Sequence, residues 1–161
     1  MNRNRENRIY WNRGWTFFEE YTPALCEKET AGFPEGTEVE LPHTAAVTPL
    51  HYFDESIYQK HCAYRKCFVP EKDWEGKRIF LNIEAAGHSA RVYLNDILLT
   101  EHFCGYTAFQ AELTAGIRQE MENVLLIEVD SRESQDLPPF GRAIDYMTFG
   151  GLYREVYLDI R

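Results

Sequence analysis

This sequence has no apolar run approaching the ~20 residues that carry a helix across a bilayer. Its first eight residues, Met-Asn-Arg-Asn-Arg-Glu-Asn-Arg, lack the apolar segment of a secretory signal. These absences predict a soluble, cytoplasmic chain, although a chain whose signal had been cleaved would read the same way. Positive charge is scarce: 17 Lys and Arg stand against 26 Asp and Glu, a formal net charge of -9. Nucleic acid and anionic membrane surfaces both require a basic patch, so neither is an expected partner. Arg3, Arg5, Arg8 and Arg13 are locally basic, but the run is short and terminal and reads as a solvated lead-in.

Cysteine is also sparse. Cys26, Cys62, Cys67 and Cys104 are too few for a disulfide scaffold. Cys62 and Cys67 are an odd number of positions apart on a strand-like run, which puts them on opposite faces and leaves free thiols as the reading. There is no glycine-rich phosphate loop, no HExxH and no paired CxxC. His43, His51, His61, His88 and His102 lack chelating spacing, so no metal and no cofactor are expected. No internal repeat or Ser/Gly-rich linker divides the chain, and 3.6-residue periodicity is nowhere sustained over three turns.

What remains is a chain of 161 residues, 44% hydrophobic and 14% aromatic, enough for one domain with a real core, or for a one-domain piece of something larger. Ten Tyr, ten Phe and three Trp favour β structure, where aromatics pack well. Period-two alternation predicts strands over Ala63–Val69, Lys77–Glu84, Ser89–Asn95, Ile97–Thr100, Asn123–Asp130 and Leu152–Ile160. Val39–Leu41 reads as a short strand ended by Pro42. Ile9–Phe18 reads as a strand or edge segment that brings Trp11, Trp15 and Phe17 to the core. Asn95-Asp96 has the composition of a tight hairpin turn, and Thr114–Ile117 that of a single helical turn. Thr22–Glu38, His43–His61 and Ser131–Met147 read as loops. The expected fold class is all-β, an antiparallel sandwich or barrel.

Acids are abundant, but no motif forces two of them to the separation of about 5–9 Å that a glycosidase pair needs. Asp145 is the exception in context. It sits on a loop among Phe140, Tyr146 and Phe149, ahead of Gly150-Gly151, which read as a bulge, and the closing strand. A carboxylate so placed can hold a sugar hydroxyl; an ordinary solvated Asp has the same appearance.

Five segments in register resemble the N-terminal, non-catalytic domain of glycoside hydrolase family 2. They are Trp11-Asn-Arg-Gly-Trp-Thr-Phe17; Val39-Glu-Leu-Pro-His-Thr44; Ala63-Tyr-Arg-Lys-Cys-Phe-Val-Pro70; Lys77 through Asn95-Asp96 with His102, Gly105-Tyr-Thr-Ala-Phe109 and Asn123–Val129; and Asp145 through Gly150-Gly-Leu-Tyr-Arg-Glu-Val156. Ala45 stands where that family commonly has Trp, and Cys62 where it often has Gly. The resemblance implies a galactose-binding-domain-like jelly-roll over residues 1–161. It implies the N-terminal piece of a larger, β-galactosidase-like enzyme whose partners are a β-galactoside or related carbohydrate and the enzyme's own remaining domains, and it leaves homo-oligomerisation open. It also implies that Asp145 contributes to the sugar pocket, with Gln59 or His61 as a second polar contact. The family's two catalytic glutamates lie in a later barrel, so no residue here inherits either role. The rival reading is a free-standing carbohydrate-binding module that stacks sugars on Trp74 or Tyr52.

Overall fold

The computed structural model describes residues 8–28, 31–51, 54–137 and 148–161. Among the described residues, ten strands form two antiparallel sheets. They are β1 (Arg8–Tyr10), β2 (Trp15–Phe18), β3 (Thr37–Val39), β4 (His61–Phe68), β5 (Ile79–Ile83), β6 (Ser89–Leu94), β7 (Ile97–His102), β8 (Phe109–Glu112), β9 (Asn123–Asp130) and β10 (Val156–Ile160). One sheet runs β1-β10-β5-β8 and the other β3-β2-β4-β9-β6-β7. The expected antiparallel β-sandwich is therefore the fold.

Alternation built this core. Ile79, Leu81 and Ile83 of β5 and Val156, Leu158 and Ile160 of β10 face Tyr64, Val92, Leu125, Ile127 and Val129 of the opposite sheet, all buried in one apolar cluster. Each of these strands places every second residue on one face. Cys62 lies in that core and Cys67 is exposed, and all four cysteines are free thiols.

Several boundaries move. Ile9–Phe18 is two strands in different sheets: β1 pairs with β10, while β2 joins β3 and β4. The short strand expected at Val39–Leu41 is Thr37–Val39. The closing strand starts at Val156, so Leu152 is buried ahead of it in a turn. Gly150-Gly151 is not a bulge: Gly151 forms an isolated antiparallel bridge with Gly87, outside the strands. Phe109–Glu112, which carries only partial alternation, is the edge strand β8 beside β5.

Local chemistry explains the β6–β7 turn. Asn95 and Asp96 adopt φ of 51° and 68°, the left-handed values such a turn requires. Buried Asn95 also bonds Asn123 Oδ1 at 2.8 Å and accepts the Val124 amide at 3.0 Å, so the turn is tied to the start of β9.

The outer side of the six-stranded sheet is partly covered as well. A 3₁₀ turn at Pro23–Cys26 lays Leu25 and Cys26 over Leu126, Ala63 and Phe18. This explains why β9 is buried at seven of its eight positions, which a strand with one wet face would not be. Replacing fully buried Leu81 with Ala should cost about 2–5 kcal/mol of unfolding free energy, whereas Leu50→Ala on the surface should change it by less than ~0.5 kcal/mol. Urea titration of the two variants checks this contrast.

Candidate functional site at the 148–152 turn

One end of the sandwich is built around a buried hydroxyl. Tyr64 enters the core from β4, and its OH lies 2.9 Å from His43 Nδ1 while accepting the Leu152 amide at 3.3 Å. Burial holds the His43 pKa below the ordinary imidazole value, so the ring is neutral, and the Tyr64 hydroxyl, besides its contact with Nδ1, donates to the His43 carbonyl at 3.5 Å. Burial likewise raises the Tyr64 pKa, which keeps the phenol a donor.

Backbone bonds secure the same turn from two sides. The His43 amide donates to the Leu152 carbonyl at 2.8 Å, Ala45 to Gly150 at 3.0 Å, and Gly87 to Gly151 at 3.2 Å. Gly151 has φ +85°, and an added Cβ would run into the Tyr64 hydroxyl. At Gly150 a Cβ would lie 2.6 Å from the Tyr58 carbonyl, whose oxygen is bonded by Ser131 Oγ at 2.7 Å.

The turn forms one wall of a cleft of about 200 Å³, lined by Thr44, Val47, Thr48, Tyr58, Thr148 and Phe149 among others. Phe149 is 46% exposed, and its ring stacks on Tyr153 at 5.5 Å and 30°. Tyr153 is anchored in turn by its hydroxyl to the Gly105 carbonyl. Val47 and Leu50 on the facing loop are 91% and 100% exposed.

The sequence-predicted residues divide. Asp145, with its neighbours Phe140 and Tyr146, lies outside the described residues, as does Tyr52. Gln59 Oε1 accepts the Glu133 amide at 3.2 Å. His61 is on the outer face of the six-stranded sheet: Nε2 lies 2.8 Å from Glu128 Oε1, Nδ1 lies 3.5 Å from Arg132, and the ring packs on Tyr21. Neither Gln59 nor His61 lines the cleft. Trp74 is 3% exposed and packs against Phe68 and Trp11, so it offers no sugar platform. Among the described residues no His, Cys, Asp and Glu cluster could hold a metal.

Two features were hidden from the sequence. Glu128 is buried beneath the outer face with Arg91 Nη1 at 3.1 Å and the Tyr93 hydroxyl at 2.9 Å. His88, 4% exposed at the start of β6, has no hydrogen-bond partner on either ring nitrogen among the described residues. Burial lowers its pKa against the opposing pull of Asp130 and Glu133.

No family profile matches the chain, but individual proteins do. A β-galactosidase from Thermoanaerobacter pseudethanolicus is 42% identical over 123 residues, 76% of this chain and 17% of the relative. A β-galactosidase from Thermoanaerobacterium thermosulfurigenes is 37% identical over 92% of this chain and 21% of its own length. The crystal structure of a Bacteroides uniformis β-glucuronidase superposes with a TM-score of 0.80 at 30% identity, covering 95% of this chain and 18% of that one. The chain is a relative of the glycoside hydrolase family 2 enzymes. It spans about a fifth of the length of the family 2 relatives it matches.

Against this family 2 fold, Tyr64→Phe should cost about 1–3 kcal/mol, because it strips the Leu152 amide and His43 of a buried partner; thermal unfolding checks it. Buried His88 and half-buried His43 are neutral in the folded state and ordinary in the unfolded one. The stability they allow is therefore complete above the unfolded value near 6.5 and is lost as pH falls below it toward their lowered folded values. Denaturant midpoints of wild type and His88→Leu should separate further in the variant's favour as pH falls from 8 to 5.

Proposed function

We propose that this chain is the N-terminal β-sandwich of a longer family 2 glycoside hydrolase. In this reading it is non-catalytic by itself, supports the catalytic barrel and lends the Asp145 carboxylate to the sugar pocket of a β-galactosidase-like enzyme. The observation that carries it is the coverage: the match takes in 92% of this chain but 21% of a relative named β-galactosidase. A domain of this size within a longer enzyme has surfaces to bury. Exposed Val47 and Phe149, both lining one cleft, and exposed Leu50 just beyond Thr48 in the chain suit packing against further domains.

Asp145 precedes Thr148 and Phe149 of that cleft by three and four residues in sequence. A carboxylate accepts two hydroxyl hydrogen bonds, and charge-assisted bonds are the stronger kind. Gln59 or His61 is the further polar contact of this reading. His61 already has both nitrogens engaged, which leaves the Gln59 amide as the better-supplied donor.

The chain alone should give no turnover of a nitrophenyl β-galactoside and no measurable heat on titration with galactosides. A robust rate would overturn the non-catalytic reading, and clear calorimetric affinity would favour the free-standing binding module. In the full-length enzyme, Asp145→Ala should lower kcat/KM about 10- to 100-fold, as expected for losing one charge-assisted bond. Unchanged kinetics would make Asp145 a bystander.

A further inference from the structure

Resting on the family 2 reading, in which Asp145 holds a sugar hydroxyl, we propose that Tyr64 is a positioning residue for that carboxylate. Its hydroxyl fixes, from inside the core, the turn to which the Asp145 segment is joined.

Two walls of the cleft meet on that hydroxyl. On one side it lies 2.9 Å from His43 Nδ1 and donates to the His43 carbonyl at 3.5 Å, directly ahead of Thr44, Val47 and Thr48 in the chain. On the other it accepts the Leu152 amide at 3.3 Å, just behind Thr148, Phe149 and Gly150. The turn is closely packed as well. An added Cβ would strike the Tyr64 hydroxyl at Gly151, the Tyr58 carbonyl and Ser131 Oγ at Gly150, and the Phe149 carbonyl at Gly87. The backbone of residues 149–151 therefore touches its surroundings on three sides, and the Tyr64 side chain bridges both walls.

The hydroxyl serves position more than packing. The Tyr64 ring is fully buried with Phe17 at 5.1 Å between centroids, and a phenylalanine ring would fill the same space. What the hydroxyl adds is direction, since hydrogen bonds weaken steeply away from their preferred distance and angle. Without it the buried Leu152 amide has lost its partner, and the turn settles where that amide finds another. Asp145 stands three residues before Thr148. Three residues of chain span at most ~11 Å, so a shift of the turn reaches Asp145 over a short tether. A carboxylate that accepts sugar hydroxyls depends on place as well as charge, and an ångström of misplacement can cost about 10²-fold in rate.

A double-mutant cycle in the full-length enzyme, read as kcat/KM on nitrophenyl β-galactoside, tests the proposal. Tyr64→Phe alone should lower kcat/KM about tenfold; in an Asp145→Ala background it should lower it no further, because the group it positions is gone. Leu81→Ala, fully buried in the other sheet, costs more stability, yet it should keep the wild-type kcat/KM when assayed well below its unfolding midpoint. If Tyr64→Phe does not fold, His43→Ala reads the same contact from a half-buried position and should show the same dependence on Asp145. A wild-type kcat/KM in Tyr64→Phe overturns the proposal. So do losses that multiply in the double variant, which would place the hydroxyl's effect elsewhere, and an equal loss in Leu81→Ala, which would assign it to stability. Unchanged kinetics in Asp145→Ala overturns the sugar-pocket reading itself, and that single variant reveals it before the cycle is read.

Discussion

The Tyr64 hydroxyl governs the functional end of this molecule. A phenol carried into an apolar sandwich must have its hydrogen bonds met there, and the His43 ring, the His43 carbonyl and the Leu152 amide meet them. Meeting them brings together segments that are 21 and 88 positions from Tyr64 in the chain. The crowding that results admits no side chain at Gly151, and the backbone there turns left-handed. The 150–152 turn, whose Gly150 lines the cleft, is held in place there.

A second buried charge network has a different task. Glu128 would be costly beneath a sheet without partners, and it has three: His61, Arg91 and Tyr93. Burial raises the pKa of Tyr93, as does its bond to Glu128, so the tyrosine remains a donor. Tyr21, packed on His61, ties the 19–28 segment to this network while Leu25 covers Leu126. The network therefore clamps a loop onto the outer face of the six-stranded sheet. It draws His61 into structural work on a surface that does not line the cleft.

These two ends of the same strands divide the labour. One closes the fold with ionic bonds on a covered face. The other places threonine side chains and the exposed Phe149 ring along a cleft. The chain that carries both spans about a fifth of its relatives' length.

Alternation is a local property, so the strands through Ile79–Ile83, Ser89–Leu94 and Asn123–Asp130 were legible residue by residue, as was the Asn95-Asp96 turn whose backbone those two side chains tolerate. The family resemblance was legible for the same reason: its marks are strand and turn residues in fixed order. Which face of β9 is covered was not legible, since Leu126 and Glu128 are buried by residues far away in the chain. Trp74 looked like a sugar platform because an aromatic on a loop gives no sign of its cover, and Phe68 and Trp11 provide that cover. The cleft belongs wholly to the tertiary level. Thr44, Tyr58 and Phe149 share no periodicity; they meet because one buried hydroxyl and a few backbone bonds, each spanning tens of residues, leave the connecting segments no other path.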